Sequence, residues 1–280
     1  TSAIDARQAD DDNYVYLNEF GFLDSDSTFV PGVTVGVDMI PARWPVRSSA
    51  EVNRVIDKII AYETQPDFGD WRTGVTFIAD DEFHGRDSTE TIHARQSEEL
   101  EQSHLPGKFK RDKIYLWDYP VNSLRSRPAV NEAIVDAINS GTLAVNYVGH
   151  GNPDLFADEK VFTRASDVPR LVNTSRPTLV FTASCSIGFF DSPTSQGMGE
   201  ELFRMPGGAI AVVSAARLVY STANALFNRS AYDQIFGDNA LSICQAVYVA
   251  KLTRQNFSGT ADNDRRYVFF GDPYLRLGAP

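Results

Sequence analysis

Short, nearly continuous apolar runs alternate along this chain with stretches whose apolar residues recur at helical spacing. The runs Val33–Val37, Val75–Ala79, Lys113–Leu116, Leu143–Val148, Thr178–Ala183 and Ala209–Val213 predict six strands. Runs such as Leu143–Val148 lack the alternation of a strand with one wet face, so they read as strands buried on both sides, as in a parallel sheet. Between the strands the spacing predicts helices over Ala50–Glu63, Thr89–His104, Val130–Ser140, Met198–Arg204, Ala223–Phe236 and Ala240–Leu252. In the first helix Val52, Val55, Ile56, Ile59 and Ile60 form one apolar stripe, and Ser48 or Ser49 supplies the N-cap. Strand–helix alternation of this kind predicts an α/β fold: a doubly wound, mostly parallel six-stranded sheet flanked by helices. Right-handed crossovers bring the carboxyl ends of successive strands to one edge. In open α/β sheets that edge is where ligands bind.

Composition narrows the picture. A chain of 280 residues, 42% hydrophobic and 22% charged, can bury one sizeable core. Residues 1–30 read as a linker or the tail of a preceding subdomain, with Asp10-Asp11-Asp12 as a solvated run, and residues 31–280 as one domain. The net charge of −11 argues against a nucleic-acid binder and favours basic or peptide partners. Two cysteines are too few for a disulfide scaffold, and Cys244, on the apolar face of a predicted helix, reads as a small buried hydrophobe. No run approaches the roughly 20 apolar residues of a membrane span. The polar opening Thr1–Asn13 has no signal-peptide pattern, and the expectation is a processed product or a piece of a longer protein.

Three segments that carry chemistry follow predicted strands. They are Ile78-Ala-Asp-Asp-Glu-Phe-His84, Gly149-His150-Gly151 and Ser184-Cys185-Ser186. Carboxylates, an imidazole and a thiol at one sheet edge are the parts of a cysteine-nucleophile hydrolase. The thiolate is the reactive form, and an adjacent imidazole holds it ionised near neutral pH. The N–H groups of Gly151 and Cys185 are candidates to receive an oxyanion. Asp80, Asp81, Glu82 and His84 lack the histidine spacing of a zinc site. His93 and His104, on a charged helix, read as surface or structural residues.

Asn146-Tyr-Val-Gly-His-Gly151 resembles the catalytic histidine motif of the gingipain-type, caspase-like cysteine peptidases, and Ala183-Ser-Cys-Ser-Ile-Gly188 resembles their nucleophile motif. Similarities at Pro41–Val46, Lys58–Glu63 and Phe270–Leu275 extend the resemblance over most of residues 30–276. It implies a cysteine endopeptidase in which Cys185 is the nucleophile and His150 the general base and acid. The family's third acid falls on Glu82, or on Asp81 with a one-residue gap. Glu90 falls near the carboxylate with which arginine-specific members hold a basic side chain, or is simply a favourable charge in the first turn of its helix, and Met205–Gly208 and Ser214–Tyr220, with Ser214 and Tyr220 at the ends of the second, are expected to line the substrate pocket. No cofactor is required for the chemistry; structural calcium is a family-level expectation, for which Asp24-Ser-Asp26 and Asp262-Asn-Asp264 offer oxygens at alternate positions. The implied partner is a protein or peptide substrate, and the implied location is extracellular or the bacterial cell surface. Flanking domains typical of the family are missing from these residues, which leaves room for separate domains or a secretion-machinery complex. Two rival readings share the motifs: a type IX secretion sortase, which transfers cargo to an amine, and a binding module that keeps the fold without catalysis.

Overall fold

A computed structural model describes residue 11 and residues 40–81, 91–237, 241–254 and 261–278. The predicted strand Val33–Val37 lies outside the described residues, as do Asp24–Asp26, Glu82, His84 and Glu90.

The chain runs α1 (Ser49–Thr64), β1 (Gly74–Ala79), α2 (Ile92–Ser103), β2 (Lys110–Tyr115), α3 (Pro128–Ser140) and β3 (Ala144–Val148). Three two-residue strands follow: β4 (Gly151–Asn152), β5 (Leu155–Phe156) and β6 (Phe162–Thr163). Then come β7 (Thr178–Ala183), α4 (Met198–Arg204), β8 (Ala209–Ala215), α5 (Ser221–Ile235), α6 (Ile243–Arg254), α7 (Ala261–Arg265) and β9 (Tyr267–Phe270). The main sheet has the order β2-β1-β3-β7-β8-β9; every pairing is parallel except β8 with β9. The expected doubly wound, mostly parallel sheet of six strands is therefore present. β9 is a member that hydrophobic patterning did not predict. Tyr267–Phe270 is short and follows a helix directly, and only its antiparallel pairing with β8 makes it part of the sheet. The small antiparallel sheet β4-β5-β6 was likewise not predicted, because two-residue strands carry no period.

β1, β3, β7 and β8 are buried along their whole length, which is why they read as unbroken apolar runs. α2 and α5 pack against each other on one face of the sheet, and α1 and α4 on the other. In α1 the Ser48 side chain accepts the Glu51 N–H at 3.2 Å, which makes Ser48 the N-cap. The buried face of α1 is Val55, Lys58, Ile59 and Tyr62, while Ile56 and Ile60 are largely open to solvent. Lys58 enters that face because its ammonium donates to the carbonyls of Phe203, Met205 and Ala209. A buried cation with these acceptors joins the end of α4 to the start of β8.

One position departs from the sequence reading. Asp11 is buried and ion-paired with Arg43, so this member of the acidic run lies against the domain instead of in solvent. His104 forms a 2.7 Å contact with Asp233 on α5, and His93 is buried on α2, which leaves the structural alternative for it and not the surface one. Cys244 is fully buried on α6, and no disulfide joins it to Cys185.

Candidate active site

Strand order decides where the reactive edge lies. From β1 the chain crosses outward to β2, and from β3 it moves the other way, to β7. The carboxyl ends of β1 and β3 thus flank the topological switch point of the sheet, where a crevice opens. Asp80 follows β1, Gly149-His150-Gly151 follows β3, and Ser184-Cys185-Ser186 follows β7, the next strand along.

Register places the histidine and cysteine at matching distances past two adjacent strands. β3 and β7 pair in parallel with Val148 opposite Ala183. His150 and Cys185 each lie two residues beyond that pair, at equivalent places on adjacent strands. Glycine lets the two segments close on one another. A Cβ on Gly151 would lie 2.6 Å from Ser184 Oγ and 3.0 Å from Ile187 Cδ1, so a larger residue would have to displace these side chains between the histidine and cysteine turns.

The His150 side chain is exposed, but its main chain is anchored on buried groups. Its N–H donates to Asp80 Oδ2 at 2.9 Å. Its carbonyl accepts from the Tyr147 hydroxyl at 2.5 Å and from the Ala157 N–H at 2.9 Å. Tyr147 is fully buried and stacks on Phe156 with ring centroids 4.1 Å apart. The His93 ring stands edge-on to the His150 ring, centroids 5.3 Å apart. Burial, with the neighbouring His150 charge adding to it, pushes the His93 imidazole down to about 3, so it is neutral at ordinary pH.

The cysteine is held more lightly. Cys185 is half-buried; its Sγ meets the carbonyl and the N–H of Val219, each at 3.5 Å. The next residue, Ser186, adopts the left-handed conformation with φ of 57°, unusual for a residue with a Cβ, and its N–H reaches the Arg217 carbonyl at 3.2 Å. Arg217 is ion-paired with Asp191 and braces this turn from the β8 side. Tyr220, held through its N–H by Asn263 Oδ1 at 2.8 Å, is 71% exposed beside Val219, and Leu218 is 70% exposed on the other side.

The strand pairing fixes the direction of one oxyanion candidate, the Gly151 N–H. Because Ala157 donates to His150, Gly151 and Phe156 form a non-hydrogen-bonded pair between β4 and β5. The Gly151 N–H therefore points away from β5.

Other sequence candidates move. Asp81 is not turned toward the histidine: its carboxylate is ion-paired with Arg127, itself buried and bonded to the Tyr119 carbonyl. Among the described residues, the acid bonded to the His150 main chain is Asp80, which accepts one N–H on each oxygen. Ser214 lies wholly inside the sheet with its hydroxyl 2.5 Å from that of Thr182, so it lines no pocket. Alternation along β8 conceals this, since the strand is buried on both faces. Asp80 stands within the acidic segment and Tyr147 within the histidine motif, yet nothing in their spacing marks them as partners of one peptide.

Asp80, Asp81 and Glu159 bring carboxyl oxygens within 4.8 Å of one another. Arg127 and two main-chain amides already serve the first two. Asp262-Asn263-Asp264 does not fit a calcium loop. Asp264 pairs with Arg254, and Asn263 bonds Tyr220 and Asn224.

These features place the molecule among the caspase-like α/β proteins, with an imidazole and a thiol at the carboxyl edge of neighbouring parallel strands. The model of peptidase family C25 matches residues 5–278, and the chain belongs to this family of cysteine peptidases. Among solved structures it is similar to the Arg-specific cysteine proteinase gingipain R, at 19% identity and a TM-score of 0.71 over 95% of this chain and 59% of that one. It is also similar to a complex of the pro- and mature domains of Porphyromonas gingivalis RgpB, at 18% identity and a TM-score of 0.66 over 85% of this chain and 56% of that one. The chain thus spans less than two thirds of the length of these structures. A search of curated protein sequences gives no match.

Proposed function

We propose that this protein is a cysteine endopeptidase acting through an acyl-enzyme on Cys185, with His150 as general base and acid. The observation that carries the reading is the equivalent placement of His150 and Cys185 beyond the paired Val148 and Ala183 at the switch-point edge. In the first half-reaction the His150 imidazole takes the thiol proton and the Cys185 sulfur adds to the peptide carbonyl carbon. The oxyanion is received by the N–H groups of Gly151 and Cys185. The C–N bond breaks, His150 gives the proton to the leaving amine, and a thioester remains. Water then adds with His150 as base, the C–S bond breaks, and a carboxylic acid and the thiol are released.

Leu218 and Tyr220 supply an exposed apolar margin beside the sulfur, suited to side chains of an extended peptide. An extracellular or cell-surface site of action follows from the family resemblance; no described helix is long and apolar enough to cross a membrane.

The test is cleavage of a denatured-protein peptide library read by mass spectrometry, with wild type compared to Cys185→Ala. New peptide termini absent from the variant are expected. Equal cleavage by both proteins would overturn the assignment. Added amine nucleophiles appearing on the new carboxyl ends would show acyl transfer alongside hydrolysis.

A further inference from the structure

We propose that Asp80 is a positioning residue, which sets His150 for catalysis by gripping its main chain, not its ring. The role rests on the function proposed above. Asp80 is 3% exposed, and its two carboxylate oxygens have separate tasks: Oδ1 accepts the Asp81 N–H and Oδ2 the His150 N–H, both at 2.9 Å. Its own N–H donates to the Val148 carbonyl at 3.0 Å, continuing the β1–β3 pairing up to the turn. The chain from Val148 to His150 therefore wraps around the Asp80 side chain. Gly149 makes the wrap possible: a Cβ there would lie 2.4 Å from Asp80 Cβ and 2.6 Å from the Tyr147 hydroxyl.

Tyr147 completes the grip from the other end of the residue by donating to the His150 carbonyl. With N–H and C=O both held, the imidazole keeps only its side-chain torsions, and its distance to the neighbouring Cys185 turn is set by buried groups. Two acceptor atoms are needed on Asp80. An asparagine keeps the shape but turns an NH₂ toward one of the two N–H donors, so one of these bonds becomes a donor–donor clash.

Asp80→Asn is expected to lower kcat by about ten- to a hundredfold, with KM changed by no more than about threefold, because a small misplacement of a catalytic group acts on the chemical step. Tyr147→Phe, which keeps the ring stacked on Phe156, should lower kcat in the same sense and to a smaller extent. A structural role alone would not produce the next result. In a His150→Gln background the Asp80→Asn substitution should have no further effect on the residual rate, since its action passes through His150. Near-ultraviolet circular dichroism of each variant reports the fold. If Asp80→Asn destroys the fold, Tyr147→Phe and its own His150→Gln cycle decide the question.

The proposal is overturned if the folded variants retain wild-type kcat, or if they lower the rate equally with and without His150. The peptidase reading fails separately, and takes this role with it, if wild type and Cys185→Ala cleave the library alike.

Discussion

The two strand ends that carry the reactive pair are built differently. Beyond β3, His150 has its N–H and carbonyl tied to buried partners, two of them side chains: Asp80, just past the neighbouring strand β1, and Tyr147, three residues earlier on β3. Beyond β7, Cys185 sits on a turn with a left-handed Ser186, and its sulfur makes only long contacts with Val219. The difference suits the two jobs in the proposed reaction. A base must hold its place through both proton transfers, whereas a nucleophilic sulfur must leave its resting contacts to reach a carbonyl carbon. The main chain beside the imidazole is gripped by side chains, whereas the sulfur rests on long contacts above a turn held by Arg217.

The comparison can be broken most severely at the thiol. Cys185→Ala should lower peptide cleavage by about a thousandfold or more, measured as initial rates, because no other group can form the acyl-enzyme. The gripped side breaks next. Gly149→Ala forces a methyl into Asp80 and Tyr147, and is expected to cost about 1–3 kcal/mol of stability by overpacking. Chemical denaturation measures that cost, and activity should fall with it as the His150 segment shifts.

A smaller effect concerns pH. Buried His93 titrates at about 3 in the folded protein against an ordinary 6.5. Unfolded chains therefore bind the extra proton first, and stability is lost as pH falls from 6.5 toward 3 and is unaffected above that window. His93→Phe keeps an aromatic ring against His150, and its Tm should fall less than that of wild type between about pH 6.5 and 4. The smallest effect is a control on the second cysteine. Cys244→Ala, in the packed interior of α6, should leave kcat unchanged and cost roughly 1 kcal/mol for the lost volume. A thiol probe should label wild type at Cys185 and not at Cys244.

Much of this molecule was legible along the chain. Unbroken apolar runs such as Thr178–Ala183 and Leu143–Val148 announced strands buried on both faces. The stretches between them showed helical spacing, and the residues just past the strands marked the edge where chemistry sits. His150, Cys185 and Gly151 were visible for that reason: each is a local departure from an apolar run. Even so, local periodicity reports how a residue is buried and not by what. It placed Ile56 and Ile60 in the stripe of α1, where tertiary packing chose Lys58 and Tyr62 and found the cation three carbonyls.

What only the tertiary structure decided is which strands are neighbours. The order β2-β1-β3-β7 sets the switch point between Asp80 and His150, and the parallel register matches His150 to Cys185. That same order turns Asp80 to the histidine peptide and leaves Asp81 to Arg127, although the two acids are adjacent in sequence and indistinguishable by composition. It also buries Ser214 between β7 and β9 and recruits Tyr267–Phe270 as the antiparallel edge strand. Strand patterns arise from contacts a few residues apart, which the sequence displays directly. Neighbour choice arises from contacts between residues far apart in the chain, and their free energy exists only once the sheet has assembled.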